Sequence, residues 1–228
     1  MAYVFRGRLV LAVADQIVPG VPPREAREPE VRAFRGYLSE LRGKDPNKPM
    51  TPRSLCIVVC AAGPAAHVGR LVKQARREGW TVRLVATPSA ISFINTEDLA
   101  AISGSPVRHD YRAAGESGPR ASTADAIIVA PATYNSINKL ASGVNDTYAL
   151  NVVAEAIGRG RPVAILPFVN SALAARRPFV ASVQGLRSEG VHVVLGPDEW
   201  MPHEPGDGDA KIDSFPWHLA LAAVSAIR

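Results

Sequence analysis

The chain has 228 residues, 47% of them hydrophobic, which is enough to bury one sizeable core. Its formal net charge is +5, but residues 1–49 hold nine Lys or Arg against six acids and leave only +2 for the rest; with aromatics at 6% and no basic run interleaved with them, nucleic acid is not an expected partner. No apolar run approaches the roughly 18 residues that span a bilayer, and the start lacks the order of a secretory signal, so the expectation is a cytoplasmic chain with no membrane partner.

Residues 1–49 are rich in proline and charge. They are expected to be either an N-terminal appendage, with a strand near Tyr3–Ala14 and a helix near Glu28–Arg42, or an extension upstream of a start at Met50. From Leu55 the pattern becomes strand, turn, helix, repeated. Leu55–Cys60 reads as a buried strand. Pro64 suits the first position of a helix over Ala65–Glu78, where Val68, Leu71, Val72 and Ala75 recur at helical spacing. Thr81–Thr87 is the second strand, and Thr96 is placed to cap a short helix over Glu97–Ser103. Val107–Tyr111 reads as extended and residues 113–123 as loop.

The next strand, Ala126–Ala130, is expected to break at Pro131 and to feed helices over Ser136–Ala141 and Asp146–Gly158. Pro162–Pro167 is a strand, Asn170 caps a helix running to about Ser188, and Val191–Leu195 is the last strand. A polar loop, 196–213, precedes a final helix with Trp217, Leu221 and Val224 on one face. Alternating strands and helices predict a Rossmann-like, flavodoxin-like doubly wound parallel sheet between two helical layers, with the functional domain over 50–228.

Several chemistries lack their residues. No Gly-x-Gly-x-x-Gly, phosphate-loop lysine or Gly-x-Ser-x-Gly occurs. The five histidines, His67, His109, His192, His203 and His218, show no metal-ligand spacing, so no metal is expected. Cys56 and Cys60 lie inside an apolar strand, too far apart along it for a disulfide, and read as inert core thiols. What remains is a set of small and hydroxyl residues at consecutive strand ends: Gly63 and Ala65, Thr87 and Ser89, Thr133 and Ser136. A strand feeding a helix start is where such sheets bind ligands, and hydroxyls with backbone amides suit a phosphomonoester such as that of a flavin mononucleotide. Taken singly, each hydroxyl could equally be a cap or turn residue.

Pro131-Ala132-Thr133-Tyr134-Asn135-Ser136, followed by Lys139, Gly143 and Asp146, resembles the Pro-Ala-Ser-Ala-Asn-Thr motif of the homo-oligomeric flavin-containing cysteine decarboxylases, the phosphopantothenoylcysteine and lantibiotic peptidyl-cysteine decarboxylases. The similarity extends to Thr87, Ala90 and Phe93, to Pro106-Val107-Arg108-His109 and to Pro167-Phe168-Val169-Asn170. It implies a subunit binding FMN, assembled as trimers or multiples of trimers, that acts on a small-molecule or peptide substrate. Carried over, Gly63, Ala65, Thr87, Ser89, Phe93, Thr133 and Ser136 would surround the flavin. His109 would act as base, and Asn135 and Asn170 would orient the substrate carboxylate.

The implied reaction is oxidative decarboxylation of a cysteine-like thiol. The chain departs from the family pattern at Val169, Leu173 and Ala174, which replace two methionines and a tryptophan, at Tyr134, which replaces a small residue, and in having no cysteine after Cys60. A repurposed FMN carrier is therefore the alternative. A flavin prenyltransferase would need a basic phosphate site, for which Arg176-Arg177, read as mid-helix, is the one adjacent pair in a suitable place.

Overall fold

The computed structural model describes residues 2–5, 8–11, 24–25, 53–111, 115 and 121–225. The chain divides into two compact units, Met1–Thr51 and Pro52–Arg228. In the first, strand β1 (Ala2–Phe5) pairs antiparallel with β2 (Arg8–Leu11) and parallel with β3 (Arg24–Glu25). The single strand expected over Tyr3–Ala14 is thus two strands folded on each other; the helix expected near Glu28–Arg42 lies outside the described residues.

The second unit is a five-stranded parallel sheet. Its strands are β4 (Ser54–Val59), β5 (Thr81–Ala86), β6 (Ala126–Ala132), β7 (Val163–Pro167) and β8 (His192–Val193), in the order β5-β4-β6-β7-β8. The alternation of side chains along a strand divides β4 between two cores. Leu55, Ile57 and Val59 enter one; Cys56, Val58 and Cys60 enter the other. In β6, Ala126, Ile128 and Ala130 join the first, and Ile127 and Val129 the second. A strand that must be apolar on both faces is what a parallel sheet covered on both sides requires.

Helices α1 (Gly69–Arg77) and α2 (Thr96–Ser103) pack on the first core together with the C-terminal helix, Trp217–Ser225. Helices α3 (Tyr134–Ala141) and α4 (Tyr148–Gly158) cover the second core, together with a helix over Arg177–Ser188. Strand order and covering on both sides make this the doubly wound α/β sandwich that the sequence predicts.

Local differences have physical causes. The turn after β4 is a 3-10 helix, Gly63–His67, before α1 begins. Asn95, not Thr96, caps α2: its side-chain oxygen accepts the N–H groups of Glu97 and Asp98, each at 3.1 Å. Strand β6 continues through Pro131 to Ala132 with a register shift after Val129, because its next carbonyls find partners in neighbouring turns. The single helix expected after Asn170 is two, α5 (Ser171–Ala174) and α6 (Arg177–Ser188), since Pro178 can sit only in a first turn. Arg176 and Arg177 consequently sit at a helix start. Within the polar loop lies α7 (Gly208–Lys211), and the C-terminal helix is α8.

At the amino-terminal end of the sheet, Asp125 accepts both the N–H and the hydroxyl of Ser54 at 2.8 Å, joining β4 to β6. Those bonds, led by the backbone one, hold its carboxyl below the usual carboxylate range. A depressed folded-state pKa gives stability that is present above the unfolded value, roughly 3.9, and is lost as pH falls through the folded one. Asp125→Asn is expected to lower the urea midpoint at pH 7, and the gap from the unsubstituted chain is expected to narrow as the carboxyl is protonated in acid.

Candidate active site

The strand order reverses between β4 and β6, since the chain leaves β4 for β5 on one side and returns to β6 on the other. A crevice at the carboxyl ends of those strands follows from that topology. A cavity of about 340 Å³ opens there, within the usual size of a cofactor site. It is lined by Ala61 after β4, by Thr87, Pro88 and Ser89 after β5, and by Thr133, Asn135 and Ser136 after β6. Lys139, Asp146, Thr147 and Leu150 complete it.

The start of α3 forms one wall. Thr133 is its N-cap: Oγ1 accepts the Ser136 N–H at 3.2 Å and donates to the Ser136 hydroxyl at 3.0 Å. Behind them the Cys60 thiol meets the Ser136 hydroxyl and the Thr133 N–H, and burial pushes that thiol up. Cys56, buried in the second core, is pushed up to about 12 by the same cause. Thr147 likewise caps α4 by accepting the Leu150 N–H at 3.3 Å. The hydroxyls are therefore caps and wall at once. The N–H groups of Tyr134 and Asn135, in the first helical turn, have no partner among the described residues and suit an anion.

Among the described residues one cation lines the cavity, Lys139, and it is ion-paired with Asp146. The lining is therefore close to neutral and rich in hydroxyls, a donor set that fits an FMN phosphate and ribityl chain better than a pyrophosphate. Arg176 and Arg177 do not line it.

Of the residues expected at the flavin, Thr87, Ser89, Thr133 and Ser136 come together here, with Asn135. Ala65 is fully buried in the first core with its N–H bonded to the Ala62 carbonyl at 2.9 Å. Gly63 faces Phe168 and Ile212, where a Cβ would come within 3.2 Å of Ile212. Phe93 is 46% exposed on the turn after β5. Tyr134 turns away from the cavity to stack on Phe179, with ring centroids 5.6 Å apart. His109 is exposed and follows Arg108, whose backbone bonds to Leu84 and Ala86 beside the end of β5.

Asn170 caps α5 and is bridged to His203; neither it nor His109 lines the cavity. Sequence spacing did not signal His203, because its link to Asn170 spans a loop. Among the described residues no helix is long and apolar enough to cross a membrane.

A switch-point crevice of this make-up defines a mononucleotide-binding α/β protein. The match to the Flavoprotein family model covers residues 44–216, and the chain belongs to that family. A curated relative is the coenzyme A biosynthesis bifunctional protein CoaBC of Thermococcus kodakarensis. It is 28% identical over 144 residues, which are 60% of this chain and 36% of the relative, so the chain spans about a third of that protein's length.

Among solved structures, the FMN-dependent cysteine decarboxylase SpaF is 25% identical with a TM-score of 0.56, covering 74% of this chain and 97% of its own. The FMN-dependent cysteine decarboxylase TvaF from thioviridamide biosynthesis shares the fold at 23% identity. Its TM-score is 0.60, with 76% of this chain and 98% of its own covered.

Two outcomes follow from the wall. In the native state neither cysteine is expected to react with a disulfide reagent at pH 8, and unfolding is expected to release two thiols per chain. Thr133→Val is expected to cost about 1 kcal/mol in urea unfolding through loss of the cap, whereas Thr133→Ser keeps it.

Proposed function

We propose that the chain is an FMN-dependent decarboxylase that oxidises a cysteine-like thiol, peptidyl or small, and releases CO₂ to leave an enethiol. The observation that carries this reading is the near-neutral, hydroxyl-lined crevice at the switch point, in a chain of the Flavoprotein family with a decarboxylase of the same fold at 25% identity. Bound FMN supplies the two-electron acceptor for the thiol oxidation. The rest is done by the chain's own residues. Ser89, Thr87 and the open amides of Tyr134 and Asn135 hold the phosphoribityl part, while Thr133 and Ser136 fix the wall beside it.

Phe93, Gly63 and Ala65 belong to the flavin surroundings through the turns that they build. Asn135 and Asn170 orient the substrate carboxylate, and His109 handles a proton. His109 and Asn170 lie outside the cavity wall of a single chain, an arrangement that suits a trimer, or a multiple of trimers, in which a neighbouring subunit completes the site. Residues 50–228 form the FMN domain, residues 1–49 a separate appendage, and the protein works in the cytoplasm.

The repurposed-carrier alternative draws on Val169, Leu173 and Ala174, and it differs in having no turnover. Purified protein is expected to be yellow, or to become so on reconstitution with FMN, and to release CO₂ from peptides ending in cysteine. His109→Asn is expected to abolish that release, by ~10²-fold or more, with the flavin absorbance unchanged. A colourless chain that cannot be reconstituted refutes the reading, and a yellow chain without turnover favours the carrier.

A further inference from the structure

The segment between β8 and α8 lies against the turn that follows β7. The Ser171 N–H donates to the His203 carbonyl at 2.7 Å, and the Ser171 hydroxyl donates to Glu204 Oε2 at 3.1 Å. The imidazole of His203 is held as firmly as its backbone. Its ring centroid is 4.8 Å from that of Phe168, and Nδ1 is 2.9 Å from the Glu204 carbonyl oxygen. A carbonyl can only accept, so the neutral ring carries its proton on Nδ1 and leaves Nε2 as a bare acceptor.

Nothing among the described residues occupies that acceptor. At Gly208 a Cβ would come within 3.4 Å of Cε1 and 3.7 Å of Nε2, so the glycine leaves this edge of the ring open.

Asn170 and His203 form an isolated parallel bridge, and bridged residues project their side chains to the same side. Asn170 Oδ1 is taken by the Leu173 N–H at 2.9 Å, which leaves the two N–H groups of its amide to donate outward. A fixed acceptor and a fixed donor therefore stand next to each other on one face. A group that offers a proton beside an anionic acceptor, such as a thiol next to a carboxylate, matches the pair.

We propose that His203 is a second proton-transfer residue of the site, its Nε2 accepting the proton of the substrate thiol while the Asn170 amide donates to the substrate carboxylate. The assignment rests on the decarboxylase reading above. The S–H bond breaks with its electron pair left on sulfur, and the proton forms the Nε2–H of an imidazolium. Once CO₂ has left, the same proton returns to the sulfur of the enethiolate product. A neutral imidazole next to a thiol raises the thiolate fraction in this way. No net proton is consumed by the shuttle.

The test uses the full-length FMN-loaded chain and a pentapeptide ending in a free cysteine. His203→Ala and His203→Gln are expected to lose ~10²-fold or more in kcat with flavin absorbance and far-UV dichroism unchanged. Added imidazole is expected to restore part of the activity of His203→Ala alone. Retention of the unsubstituted kcat, or a loss that imidazole cannot relieve in a folded, yellow variant, overturns the assignment and leaves the decarboxylase reading standing.

Histidine side-chain nitrogen spectra of the unsubstituted protein give a readout that does not need turnover. The His203 Nε2 resonance is expected to move to the protonated position when the peptide is added. A resonance that stays put overturns the assignment, whereas absence of CO₂ release from the unsubstituted chain is the failure of the decarboxylase reading itself.

Discussion

The carbonyl of Pro131 accepts the N–H of Cys60 at 3.1 Å, and the carbonyl of Ala132 accepts the N–H of Phe168 at 2.8 Å. With these two bonds β6 ties the turns that follow both of its neighbours to its own last residues. The register shifts after Val129, and pairing with β7 resumes at Ala132 opposite Pro167. Pro131 and Ala132 are buried, and leaving such a carbonyl unpaired costs about 1–3 kcal/mol, so the three turns are coupled in position. On one side the coupling sets Ala61, Thr133 and Ser136 around the cavity. On the other it sets Phe168, and through Phe168 the rings of His203 and Phe215.

The electrostatic design is economical in charge. Among the described residues a single lysine lines the cavity, and Asp146 neutralises it; hydroxyls, amides and a helix start supply the rest. The Cys60 thiol belongs to the same arrangement as an anchor for Ser136 and Thr133, and its raised pKa keeps it protonated and unreactive although it stands directly behind the wall. That resolves the apparent conflict between hydroxyls as caps and hydroxyls as ligand groups. Thr133 orders the helix start, and the ordered helix start presents the open amides.

Much of this was legible in the residues. The alternation of strands and helices identified a covered parallel sheet, and the hydroxyls at Thr87, Ser89, Thr133 and Ser136 were found because strand ends bind ligands whatever the strand order. What could not be read was set by tertiary contact. Pro178 is the one local sign that the helix after Asn170 breaks, and a reading of helical periodicity alone runs the helix through it. Asn95 took the cap from Thr96 by reaching two amides at once. Tyr134, next to the ligand groups in sequence, is drawn off by Phe179 from a helix more than forty residues away. His203 carries no local pattern, and its meaning comes wholly from the bridge to Asn170.

Arg108 pairs by backbone with Leu84 and Ala86 on the outer side of β5. Position β5 is the end of the sheet order, where an uncovered row of N–H and carbonyl groups would be a template for pairing with any extended chain. A single residue with a charged side chain occupies that template next to the ligand crevice. The segment bearing His109 therefore also acts as a guard against aggregation, and substitutions that detach it from β5 would surface first as loss of soluble protein.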